Sequence, residues 1–318
     1  MHKQIPSPSS TLIKLDKFSD TDDWPVQVSE WTCPSCSHQN QKSYKCCENC
    51  SFQSSQFFFN NRGAHFKSEK KIDKFYQVFK KKKVFLPVVH VWDVAHALKN
   101  AKLLYDHHVD GLFLINNNCS ADILIDAIKS VRREFPDKWL GINILGISIR
   151  ELFLKIADLD FDGLWLDSAM ITEESEFQNI AEFIQDQLGS MNFKGLYFGG
   201  IAFKYQRTVI KDLKKVIDIA SSYVDVILTS GEATGMQIKE EKLKKFTELV
   251  KCNPLGIASG VTNKNLITSI KHADVFIVGT YIEHYVTGDI VEEKLEEMLK
   301  LFQMYNEMLE KRKQDDIQ

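Results

Sequence analysis

Three side chains able to move protons follow closely on short apolar runs in this chain. His90 ends VFLPVVH, Asp167 ends GLWLD, and Lys204 lies five residues past GLYFG. An imidazole, a carboxyl and an amine can act as general acids and bases near neutral pH once their surroundings move their pKa values. Lys204 can instead hold a phosphate or a carboxylate. Glu232, after VDVILTSG, adds a second carboxyl. Asn116 and Asn143 can position a substrate. Ser230 and Gly231, Ser259 and Gly260, and Gly279 and Thr280 form small-residue loops whose backbone N–H groups can hold an anion. Each has a plainer reading as a solvated lysine, a structural histidine or a turn asparagine. Ser120, Thr172 and Thr262 read as helix caps.

These residues recur with a βα rhythm. Strands are expected at 84–90, 111–115, 140–144, 163–167, 195–199, 224–229, 255–259 and 274–279. Helices are expected near 93–107, 120–134, 148–158, 174–188, 207–221, 237–250, 262–271 and 290–310. Eight such repeats predict an α/β fold, a closed (β/α)8 TIM barrel, rather than an open sheet. An open doubly wound sheet usually carries G-x-G-x-x-G after its first strand, and here that strand runs into His90-Val91-Trp92-Asp93. The barrel puts every candidate above at one end, where the strands finish. Its last two loops fall where such barrels build phosphate sites.

A second chemistry precedes the barrel. Cys33-x-x-Cys36 and Cys47-x-x-Cys50 are paired knuckles ten residues apart, within a crowd of five cysteines between Cys33 and Cys50. Four thiolates so spaced suit one tetrahedral structural zinc ion, and a unit this small needs the metal to fold. Cys46 can replace Cys47 only by breaking the two-residue spacing. The expected organisation is a disordered segment or linker over 1–29, a small four-cysteine zinc finger over 30–52, a basic linker and N-terminal helix over 53–83, and the barrel over 84–310. Ile72, Phe75 and Phe79 recur at helical spacing, and their helix is expected to plug the barrel's N-terminal end. Nine Lys or Arg against two acids between Ser51 and Lys83 suit RNA or phosphate, or simply a solvated face.

Trp31, Cys33, Cys36, Asn40, Cys47 and Cys50 together resemble the Ran-binding-protein type zinc finger over about 20 residues. The resemblance implies a partner that is RNA or ubiquitin, or another protein. RNA-binding relatives carry two arginines where this chain has Ser43 and Tyr44, and ubiquitin-binding relatives carry Thr-Phe where it has Ser37 and His38. The barrel has its own resemblance. TSGEATG, ASGVT, ADVFIVGT, GINILG and PVVHV are similar to the BtpA-like barrels, from about Lys83 to Thr287. That likeness implies the fold and an anionic ligand. It also exposes departures: Gly199 or Gly200 stands at a usual aspartate, Tyr205 follows Lys204 where a histidine is usual, and Glu283-His284 replaces a usual lysine.

A formal net charge of −3 gives no general case for nucleic acid or membranes. No apolar run approaches the roughly 18 residues that span a bilayer, and Met1-His2-Lys3-Gln4 is no secretory start. A cytoplasmic or nuclear protein is expected. The function these features favour is an enzyme acting on a phosphorylated small molecule, a sugar phosphate or nucleotide-like compound, by an isomerase, lyase or glycosyl-transfer step. No cofactor is evident for the barrel, whose chemistry is expected to be metal-independent. The alternative is a non-catalytic adaptor, with a finger that binds RNA or ubiquitin and a barrel that serves as ligand sensor or scaffold.

Overall fold

The computed structural model describes residues 71–175, 177–206 and 210–315, and the backbone of two short strands further upstream. Those two, β1 (Glu30–Thr32) and β2 (Gln39–Gln41), pair antiparallel with Trp31 opposite Asn40. Cys33, Cys36, Cys47 and Cys50 lie outside the described residues.

Helix α1 (Lys71–Phe79) leads into β3 (Val84–His90). From there strand and helix alternate: α2 (Val94–Asp106), β4 (Leu112–Ile115), α3 (Ala121–Glu134), β5 (Leu140–Asn143), α4 (Ile149–Ile156), β6 (Gly163–Leu166), α5 (Asn179–Ser190) and β7 (Leu196–Gly200). The second half runs α6 (Leu213–Tyr223), β8 (Val226–Thr229), α7 (Glu240–Leu249), β9 (Leu255–Ala258), α8 (Asn263–Ser269), β10 (Val275–Val278) and α9 (Glu292–Asp315). Strands β3 to β10 pair in chain order, all parallel. The pairing of β10 with β3, Val275 opposite Val84 through Val278 opposite Pro87, closes the ring. This is an α/β TIM barrel.

Alternation along the strands sorts the side chains into two cores. Val84, Leu86, Val88, Phe113, Trp165, Leu196, Phe198, Val226, Leu228, Val275 and Ile277 fill the interior. Phe85, Val89, Leu112, Leu114, Ile142, Leu164, Leu166, Tyr197, Ile227, Ile257 and Phe276 pack outward under the helices. Phe113 is the hub of the interior, with Trp139, Trp165 and Phe198 edge-on at 5.3, 5.4 and 5.3 Å.

Helix α1 seats at the N-terminal end. Phe75 and Phe79 are buried against the interior core, and Phe79 meets Trp139 at 5.2 Å. Burying each is worth roughly 1.5–3 kcal/mol. Lys71 and Lys74 bond the two oxygens of Asp225, just before β8, at 2.8 and 2.9 Å, and Lys74 also donates to Gly195 O. Burial works against the Asp225 charge. The two ammonium groups and the Tyr197 N–H outweigh it and hold the carboxyl at about 2. Lys81 pairs with Asp110 and Lys83 with Asp274. These lysines of the basic run therefore tie the plug and its neighbourhood to the barrel.

The largest departures from the expected elements are two late helices. Helix α5 begins at 179 rather than 174, because Gln178 folds back. Its Oε1 accepts from Thr172 N and its Nε2 donates to the carbonyls of Thr172 and Ser175, which fixes a compact loop where helix was expected. Thr172 is consequently no helix cap; its hydroxyl accepts from Glu174 N within that loop. Helix α6 begins at 213, capped by Asp212. Ser120 and Thr262 do cap α3 and α8.

Candidate functional site

The inward alternation carries on past the last apolar layer. The inward positions at the strand ends are then His90, Asn143, Asp167, Gly200, Ser230 and Gly279. A pocket of about 240 Å³ opens at this rim. His90, Lys204, Ser259, Gly260, Gly279 and Thr280 line it, over a floor of Val88, Ile115, Trp165 and Ile277.

His90 is held by Glu283, from the loop after β10. Glu283 Oε1 accepts the His90 backbone N–H at 3.0 Å, and Oε2 lies 2.6 Å from Nδ1. A carboxylate only accepts, so Nδ1 carries a proton directed at Glu283 and Nε2 is the ring nitrogen left facing away from that carboxylate. The imidazole occupies the space a side chain at Gly279 would need, since an added Cβ there would lie 2.8 Å from His90 Cε1. Glycine is what lets the ring lie across the end of β10.

Asp167 receives the Asn143 side-chain N–H at 3.1 Å. Burial pushes its carboxyl up, while that hydrogen bond and the charge of Lys204 pull the other way. Burial pushes the Lys204 amine down, against the pull of Asp167 and Tyr205. Each group is thus moved towards its neutral form. The Lys204 backbone N–H donates to Ser230 Oγ at 2.7 Å, and that hydroxyl donates to Gly231 O.

The remaining wall is backbone. Ser259 adopts φ +99 and Gly260 φ +67. A Cβ on Gly260 would collide with the carbonyl of Met236, so only glycine fits. Ser259 Oγ donates to Ala233 O, which ties this turn to the loop after β8. Among the described residues, the N–H groups of Gly260, Val261, Thr280 and Tyr281 have no hydrogen-bond acceptor. All four residues line the pocket. The Trp165 indole N–H, buried in the floor, also has none.

Other expected residues stand apart from this pocket. Glu232 is solvent-exposed and paired with Lys239 at 2.6 Å. Both ends of the Asn116 amide brace Leu145 backbone, donating to its O at 3.1 Å and accepting from its N at 2.6 Å. Asn143 and Ser230 are buried and hold Asp167 and Lys204. Gly231 is buried beside Ser230. Among the described residues, the one cluster with metal-ligand spacing, His107 with Glu292 and Glu296, involves the helical layer and none of the pocket's lining.

Two contributors carry no sequence signal as site residues, and a third, Glu283, stands out only as a departure from the BtpA-like pattern. Glu283 lies five residues past β10, beyond the alternation that flags the rim. Trp165 reads as ordinary core. Lys242 sits in a charged helix, yet its ammonium donates to the carbonyls of Ala202 and Ser230 at 2.6 and 2.7 Å, joining the loops after β7 and β8.

Residues 193–303 match the BtpA family. The BtpA match covers β7 through most of α9, and so includes Lys204, all three small-residue loops and Glu283. It starts well after the Lys83 from which the sequence resemblance runs. An uncharacterized protein of Methanocaldococcus jannaschii is 35% identical over 82 residues, which is 23% of this chain and 31% of that relative's length. Among solved structures, KGPDC from Streptococcus mutans is similar, with TM-score 0.53 and 12% identity over 70% of this chain and 99% of that one. So is 3-hexulose-6-phosphate synthase from Salmonella typhimurium, with TM-score 0.53 and 13% identity over 70% and 99%. At these identities the likeness concerns the fold. No helix of the described residues is long and apolar enough to cross a membrane.

Proposed function

We propose that the barrel is an enzyme that binds a phosphorylated small molecule, with sugar phosphates the favoured class. The observation that carries this reading is a set of four N–H groups, from Gly260, Val261, Thr280 and Tyr281, that find no acceptor among the described residues and belong to residues lining one pocket. Donors left without acceptors are costly once a ligand displaces water, and a phosphate has the oxygens to satisfy several at once. Asp167, Lys204 and His90 supply acid–base groups around the same rim, with Glu283 fixing the imidazole tautomer. The structural similarity to a hexulose-6-phosphate synthase supports a sugar phosphate over a nucleotide. Glu232 belongs outside this reading, and Asn116 and Asn143 serve as braces.

The test is thermal shift of the full-length protein with inorganic phosphate and a panel of sugar phosphates. A ligand at 100 times its Kd should stabilise by about 2.7 kcal/mol. Thr280→Pro deletes one of the four donors and should weaken binding while circular dichroism stays unchanged. No shift with any phosphate compound, in a protein that melts cooperatively, sinks the reading.

Zinc belongs to the same proposal. The thiols of Cys33, Cys36, Cys47 and Cys50 would hold one structural ion. The antiparallel pairing of β1 with β2, ending next to Cys33 and facing Trp31 to Asn40, supports a finger there. Its role would be to recruit a partner, RNA or ubiquitin by resemblance. One zinc per chain by metal analysis, lost on Cys47→Ser, is the expected result.

A further inference from the structure

We propose that Lys204 is a nucleophile that forms an imine with a carbonyl of the phosphorylated ligand, so that the ligand class narrows to phosphorylated aldehydes and ketones. This rests on the phosphate reading above, which supplies the anchor at the other wall of the pocket.

The geometry separates two tasks. The donors of the Gly260 and Thr280 loops come from strands β9 and β10. Lys204 comes from the loop after β7 and lines the same pocket. Among the described residues no carboxylate lies within ion-pair distance of its ammonium nitrogen, and no hydrogen bond uses that nitrogen. The nitrogen lies over the Phe203 ring face, 5.8 Å from its centroid. A lysine that served as a structural counter-ion would be paired, as Lys71, Lys74 and Lys83 are. Lys242 shows the other structural use, because its nitrogen is spent on two carbonyls. The backbone of Lys204 is fixed by Ser230 while its amine stays uncommitted. Burial lowers the amine's proton affinity, which raises the share of the nucleophilic free base.

The step balances without any outside oxidant or reductant. The Lys204 nitrogen lone pair forms the C–N bond, and one N–H proton moves to the carbonyl oxygen to give a carbinolamine. The C–O bond then breaks as that hydroxyl takes a second proton and leaves as water. Asp167, at the inward rim position two residues past Trp165 and near enough for its charge to act on Lys204, serves as the donor, and burial favours its protonated form. The products are a protonated imine and an Asp167 carboxylate, two opposite charges in one partly buried site.

The experiment is reductive trapping on the full-length protein. Pyridoxal 5′-phosphate and glyceraldehyde 3-phosphate serve as phosphorylated aldehydes, with borohydride as reductant and peptide mapping by mass spectrometry as readout. The expected result is labelling of Lys204 about tenfold faster than any exposed lysine, as a suitably lowered amine pKa would give. Inorganic phosphate should protect it. Lys204→Met should lose the label while melting cooperatively, and Asp167→Asn should slow labelling without abolishing phosphate binding. Labelling spread over surface lysines, or concentrated on Lys242, overturns the proposal. A phosphate-induced thermal shift with no Lys204 adduct sinks the imine and leaves the phosphate site standing. An adduct on Lys204 that phosphate neither slows nor competes with would support the amine and count against the phosphate site.

Discussion

Glu283 grips His90 twice, through the backbone N–H at 3.0 Å and through Nδ1 at 2.6 Å, so one side chain fixes both the end of β3 and the tautomer of its terminal imidazole. A charge-assisted hydrogen bond of this kind contributes about 1.5–3 kcal/mol. Glu283→Ala should cost about that much in urea denaturation, because it strands a buried N–H as well. Glu283→Gln should keep the backbone bond and lose the tautomer control. In nitrogen-15 NMR, the His90 signals should show the Nδ1–H form in the native protein and a mixture in the Gln variant. An unchanged tautomer in that variant would mean that Glu283 does not orient the ring.

Gly279 and His90 compete for one volume. In Gly279→Ala the new Cβ would sit 2.8 Å from His90 Cε1, tight enough that the imidazole must turn. Overpacking typically costs about 1–3 kcal/mol. The fold should survive with about that loss, and the His90 NMR signals should shift while those of His272 do not. If the variant is as stable as the parent with unmoved His90 resonances, the ring does not depend on that space.

The plug helix makes acid stability a local matter. The folded-state pKa of Asp225 is depressed to about 2, against 3.8 for a free aspartate. Its contribution is therefore fully present above the unfolded value and is lost as pH falls from about 4 towards 2. Removing both lysines reverses the logic, since a buried carboxylate is left alone. Lys71→Met with Lys74→Met should cost about 3–5 kcal/mol at pH 7. The deficit should shrink in denaturation curves near pH 3, where the stranded carboxyl protonates. A deficit that is constant with pH would show that the pairs carry no charge-dependent stability.

How much of this was legible in the sequence follows from what each signal depends on. Strand positions came within about two residues because a buried parallel strand needs a near-continuous apolar run, whatever surrounds it. The rim candidates His90 and Asp167 sit one inward step beyond such runs. The alternation of Trp165 and Asp167 or Val88 and His90 is local information. Hydrogen bonding across loops is not local. Nothing near Asn116 says that its amide will clasp Leu145, and nothing near Gln178 says that it will fold its own loop and delay α5. Glu232 carried the right chemistry at a plausible position, yet the loop after β8 turns it to Lys239 and solvent. Glu283 was visible only as a departure from the BtpA-like pattern, because its value lies in a partner 193 residues away.

Lys242 illustrates the same limit and gives a test in alkali. Burial lowers its pKa to about 8, from 10.5 for a free lysine, although its nitrogen donates to two carbonyls. The native protein then releases this proton before the unfolded chain does. Between about pH 8 and 10.5 the unfolded state binds more protons, so this group makes stability rise with pH, and below pH 8 its contribution is flat. Tyrosines and other lysines titrate nearby, so the informative quantity is the difference from Lys242→Met. That variant leaves the carbonyls of Ala202 and Ser230 short of a donor and should lose about 1–3 kcal/mol near neutrality. Because it lacks the titrating amine, its stability relative to the parent should fall further as pH climbs from 8 to 10. Parallel curves for the two proteins across that range would place the Lys242 ammonium in solvent and remove it as the link between the loops that hold Lys204 and Ser230.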